Sequence, residues 1–264
     1  MRFTWTLIWI FAPACNCSSK PENTFPAPPP QKRLGSVEGI VRLKPDVDPP
    51  RWPGEFFFSE VDRPPECPPL PPQPPYAVEM SASRGVTPFA VLAIGDPSRW
   101  PRPTRPQVRT LHLKACVLSP PLIVAQREDL IRIENPLTYP FFISGLPGIT
   151  RAVLPTDPIE IRQNASGIFT LSCTFTAPCG RADVLVVSHP LFTITDQEGR
   201  FRIDGIPADV EAEIVAWHPL FGESVKKVWI EAAKTQFLEF EVAPLNPEPS
   251  PTPPPSNAEE SILH

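Results

Sequence analysis

The sequence carries no G-x-S-x-G, no Gly-rich phosphate loop and no Ser/His/Asp set at recognisable positions, so the common nucleophilic and phosphoryl-transfer chemistries lack their residues. Excess positive charge is also missing. With 24 basic against 29 acidic residues the net charge is −5, and without a basic stripe neither nucleic acid nor an anionic lipid surface is an expected partner. Glycine is scarce at 12 of 264 residues, whereas proline reaches 41. Histidine is limited to His112, His189, His218 and His264, and only His112 has a possible metal ligand, Cys116, within four residues. On a strand those two stand about 13 Å apart, too far to chelate one ion.

What is present is enough to fold: 41% of the residues are hydrophobic, over a length that suits one large or two small domains. Proline is concentrated at Pro21 to Pro30, Pro45 to Pro75 and Pro244 to Pro255, and eight of the twelve residues from Pro64 to Pro75 are proline. Such stretches adopt polyproline II and cannot donate to a sheet ladder, so they are connections. Between them the apolar residues recur with period two, as in Ser36–Leu43, Asp129–Glu134 and Phe237–Val242. Helical periodicity is nearly absent. Short strands separated by turns such as Asp196-Gln197-Glu198-Gly199 predict an all-β class built from antiparallel sandwiches.

The amino end, Met1 to Ala12, has one early positive charge and an apolar run too short to span a bilayer, the pattern of an export signal. Ala12-Pro13-Ala14 before Cys15 resembles the bacterial lipobox, which implies a signal peptide over 1–14, lipid on Cys15 and membrane attachment, with Cys17 as a second candidate. Residues 15–34 then read as a Pro-rich tether, and 244–264 as a disordered Pro-rich tail.

Two resemblances organise the body. Thr195-Asp196-Gln197-Glu198-Gly199-Arg200-Phe201-Arg202-Ile203, followed by Ile206-Pro207, is similar to the central hairpin of the carboxypeptidase regulatory-like (prealbumin-like) β-sandwich. Gly35-Ser36-Val37-Glu38-Gly39-Ile40-Val41 matches the start of that family, which implies a discontinuous sandwich of 36–95 with 190–243. The intervening segment, 107–188, resembles a cupredoxin of the methylamine utilisation or plastocyanin-like type through Gly167–Cys173, Val184-Leu185-Val186 and His189-Pro190-Leu191-Phe192. A cupredoxin holds copper with two imidazoles, a thiolate and a weak thioether. The family pattern places Asn135 at its Asn, Leu137 at the Asp, Phe141 at the first His, Cys173 at the thiolate, Thr176 at the second His and Cys179 at the Met. Only the thiolate survives, so the resemblance implies a degenerate site and no copper cofactor.

With Cys15 and Cys17 assigned to the anchor, Cys67, Cys116, Cys173 and Cys179 remain; they allow three pairings, or free buried thiols. Relatives carry Cys at both places comparable to 67 and 116, which implies those two pair and leaves 173 with 179. The string His-Pro-Leu-Phe recurs at 189–192 and 218–221; the expectation is strand-edge imidazoles satisfied by backbone carbonyls, the alternative a shared two-His site. Asp157, Glu160, Asp209 and Glu211 read as solvated. Trp217 and Trp229, inside period-two strands, are expected in a core, and Trp52 and Trp100, among Pro and Arg, at the surface. The expected function is a non-catalytic cell-envelope lipoprotein with a binding or structural role toward an envelope protein or glycan. Copper-dependent electron transfer and a cell-wall or carbohydrate-binding module are the alternatives.

Overall fold

The computed structural model describes residues 33–52, 64–69, 73, 75–103, 105–146, 150–174 and 179–245. The proposed signal peptide, Cys15, Cys17, all of the tether but its last two residues, Thr176 and nearly all of the tail lie outside the described residues. Within them the protein is all-β, as the period-two pattern requires, with no helix among them and eighteen strands.

Two sheets form a flanking sandwich. One has β1 (Leu34–Leu43) between β15 (Arg200–Pro207) and β18 (Thr235–Val242), and the other runs β14 (Phe192–Ile194), β4 (Ala90–Ile94), β16 (Val210–His218), β17 (Gly222–Ile230). Their inner faces meet around Val37, Val41, Phe89, Val91, Phe201, Ile214 and Phe240. The hairpin that carried the sequence signal is built by Asp196, whose Oδ1 accepts from the amides of Glu198 and Arg200, while Gly199 takes φ +76° to close the turn. A small ribbon of β2 (Glu79–Met80) and β3 (Val86–Thr87) lies before β4.

The segment between β4 and β14 forms a central sandwich. One sheet is ordered β10 (Thr150–Val153), β9 (Phe141–Ser144), β12 (Gly167–Thr174), β13 (Arg181–Val187), β7 (Leu122–Gln126). The facing sheet is ordered β11 (Ile159–Arg162), β8 (Leu130–Glu134), β5 (Val108–Lys114), β6 (Val117–Ser119). Leu111, Leu113, Ile131, Ile133, Phe141, Ile143 and Leu171 fill the space between them. The sheets are mixed, because β1 with β18, β5 with β8 and β7 with β13 pair in parallel. Each of those pairs is distant in sequence, so no short hairpin forces the strands antiparallel.

The two sandwiches share a third apolar layer. Ala90 and Leu92 of β4 and Val215 of β16 meet Leu122 and Val124 of β7 and Val187 of β13. On β4 and β7 the alternate residues, Val91 with Ala93 and Ile123 with Ala125, point into the two sandwich cores instead. These strands are therefore buried on both faces and read as continuous apolar runs, not alternating ones.

Two tryptophan expectations are overturned. Trp229 is 57% exposed, because β17 is the edge of its sheet and lies beyond the strands that the central sandwich covers. Trp100 is buried in the flanking core, since the turn at Asp96, whose carbonyl accepts from the amides of Arg99 and Trp100, folds the indole onto Gly95; a Cβ there would lie 2.5 Å from the ring. Trp217 is half-buried between the sandwiches and Trp52 half-buried beside His218, their ring centroids 5.9 Å apart.

Candidate functional site

The described residues that the resemblance aligns with copper ligands, Phe141, Cys173 and Cys179, lie around one end of the central sandwich. Cys173, near the end of β12, pairs across the ladder with Ile143 of β9 and is bonded to Cys179, with Cα atoms 5.3 Å apart. Phe141, on β9, is fully buried in the same apolar cluster as Cys179 and makes an edge contact with Tyr139, ring centroids 5.7 Å apart. Asn135 is buried and fully used: its Nδ2 donates to the carbonyls of Tyr139 and Val153, and its Oδ1 accepts from the Leu137 amide. It laces a loop to β10 and offers no free donor atom to an ion. Neither a disulfide sulfur nor a phenyl ring is a copper ligand of the kind that site needs, so these residues do not fit the metal. Among the described residues no group of three His, Cys, Asp or Glu side chains could hold one.

The second disulfide, Cys67 to Cys116, joins the Pro-rich connection to the turn after β5. Glu66 reinforces the join by accepting from the amide and hydroxyl of Thr138 at 3.0 and 2.6 Å; these bonds favour the carboxylate and hold its pKa below the ordinary value. His112 stands 3.1 Å from Glu134 on the outer face of β5.

Sequence reasoning missed two carboxylates. Asp129 is fully buried and accepts from the amides of Gln107 and Gln126 at 2.8 and 2.9 Å and from Arg109 at 3.2 Å. Asp183, equally buried, holds a two-pronged pair with Arg181 and accepts from the Thr170 hydroxyl at 2.7 Å. Asp157, Glu160, Asp209 and Glu211 are exposed.

The two repeated histidines are not strand-edge groups served only by carbonyls. Both are buried, and both accept, through Nδ1, from the amide two residues on, Leu191 and Leu220 respectively, at 3.2 Å. His218 also bonds the backbone of Ala77 and sits among Phe89, Phe221 and Trp52. His189 sits against Trp100. The rings occupy different surroundings, at opposite ends of β4.

Comparison with known proteins gives no more than a weak structural likeness. No family model matches the chain. No curated protein sequence matches it. Among solved structures, amicyanin from Paracoccus versutus (Thiobacillus versutus) is 18% identical over 32% of this chain and 83% of its own, with a TM-score of 0.27. An amicyanin variant in the reduced state is 16% identical over 36% of this chain and 98% of its own, again with a TM-score of 0.27. The similarity to amicyanin, a cupredoxin, is thus weak and extends over about a third of the chain.

Burial also makes a prediction for His218. Desolvation drives its pKa down to about 3, below the unfolded value of roughly 6.5, so the folded ring stays neutral where the unfolded ring takes up a proton. Its contribution is complete above the unfolded pKa and is lost as pH falls through the window down to the folded one. Between pH 6.5 and 5, above the range where most carboxylates titrate, stability should fall with a slope of up to about 1.4 kcal/mol per pH unit from this group. Urea titrations on wild type and His218→Asn check it, because the variant should lose that part of the slope. Equal slopes would show that His218 is not held neutral.

Proposed function

We propose that this protein is a non-catalytic, exported component of a bacterial cell envelope, tethered through lipid on Cys15 and serving a binding or structural role. In this reading the central sandwich is a cupredoxin-like domain whose copper end is degenerate, inserted into a carboxypeptidase regulatory-like sandwich. The observation that carries it is the Cys173 to Cys179 bond: the one ligand position that kept its thiolate residue is consumed in a disulfide. Phe141 at an imidazole position agrees with this. Two disulfides suit an oxidising compartment, in accord with export.

The test is addition of Cu(II) to the purified exported protein, oxidised and after mild reduction. No intense visible band from thiolate-to-copper charge transfer is expected in either state, and no stoichiometric copper should remain after gel filtration. A strong blue band would overturn the reading and restore electron transfer.

A further inference from the structure

The twofold His-Pro-Leu-Phe string gives the same local fold and two different outcomes. With Nδ1 accepting from an amide in each copy, the neutral ring carries its proton on Nε2. His218 uses its remaining nitrogen on the backbone of Ala77. His189 is also more than nine-tenths buried, and burial lowers its pKa and keeps it neutral, yet its Nε2 has no partner among the described residues. The His189 ring is one of the walls of a surface groove.

That groove, of about 460 Å³ beside the junction of the two sandwiches, is further lined by Pro97, Trp100, Pro101 and Pro103 with Leu92 and Ile94. The imidazole and indole centroids are 6.2 Å apart. Among the described residues the polar side chains on the wall are His189, Arg102, Ser166 and Ser188, none of them a carboxylate. The groove thus presents apolar rings and hydrogen-bond donors. Its complement is a chain that offers rings and carbonyl oxygens but few amide protons, which describes proline-rich sequence in the polyproline II conformation.

We propose that this groove binds a proline-rich peptide, one of its carbonyls accepting from His189 Nε2 and a prolyl ring packing against the exposed Ile94 and Pro97. The proposal rests on the binding role above and gives that role a ligand class. It is independent of the copper test, so either can fail alone.

A synthetic peptide with the sequence of residues 247–255 is a suitable probe, being proline-rich with one acidic residue. It is titrated into the isotope-labelled full chain, with imidazole ¹⁵N spectra as the readout. The expected result is a saturable shift of the His189 Nε2 signal, with His218 unmoved and no response to a Gly-Ser peptide of equal length and charge. His189→Asn keeps an acceptor for the Leu191 amide but has no donor at the position of Nε2, its own amide nitrogen being held closer to the backbone, and should weaken binding about tenfold, the effect of one neutral hydrogen bond. An unmoved His189 signal, an equal response to the Gly-Ser peptide, or unchanged affinity in a folded His189→Asn would overturn the proposal. Should that variant not fold, the wild-type shift decides the matter.

Discussion

Asp129→Ala should destabilise the protein by about 3–5 kcal/mol, the largest loss of any single substitution considered for the central sandwich. The carboxylate is sealed from solvent, and its two oxygens take the amides of Gln107, before β5, and Gln126, at the end of β7, together with the Arg109 guanidinium. Truncation strands two amide donors and a cation with a 28% exposed side chain. Because the three donors come from different parts of the chain, the loss is also one of register between the two sheets of that sandwich. Urea denaturation of Asp129→Ala beside the exposed Asp157→Ala checks this; the control should stay within about 0.5 kcal/mol of wild type. Similar losses from both variants would mean that the buried carboxylate is dispensable.

The second large effect concerns the disulfides, which should be unequal. On the chain-entropy account the constraint grows with the logarithm of the loop closed. The bond spanning 49 residues, Cys67 to Cys116, is then worth about 4 kcal/mol, and the one spanning 6, Cys173 to Cys179, about 2 kcal/mol. The Cys67→Ser/Cys116→Ser protein should therefore unfold at clearly lower denaturant than Cys173→Ser/Cys179→Ser. Glu66 and its two bonds to Thr138 remain in the first variant, but they are exposed and hold the connection only weakly. The reverse order of midpoints would show that the short bond orders more than its own loop.

The sequence revealed the strands whose two faces meet different surroundings. Ser36–Leu43 and Phe237–Val242 alternate because one face meets Phe201 and Val91 while the other meets water and ion pairs such as Arg42 with Glu239. It was less informative where tertiary contact changes the rule. Nothing local marks Asp129 as buried: it sits between Glu128 and Leu130 like any turn residue, and its donors are fixed only when β5 and β7 come together. Trp100 misleads for the same reason, since its Pro- and Arg-rich neighbours suggest exposure while the turn onto the Asp96 carbonyl decides its burial; Trp229 errs in the opposite sense on an edge strand. The cysteine pairings came from family resemblance, and the structure contains them. The difference between His189 and His218 lies outside the repeated string, in whether Ala77 stands opposite the ring.

The position of β1 has a mechanical consequence. This strand follows directly from the amino-terminal segment and is the middle member of its sheet, hydrogen-bonded along β15 on one side and along β18, in parallel, on the other. A pull transmitted through Arg33 therefore runs along the ladder and loads both rows of bonds together in shear, where a terminal edge strand would peel away one bond at a time. Detaching β1 would also draw Val37, Val41 and Leu43 out of the flanking core. Resistance of this body to a force applied at its amino end is thus built into the strand order, and β18, the last strand among the described residues, serves as one of the two rails that hold the first.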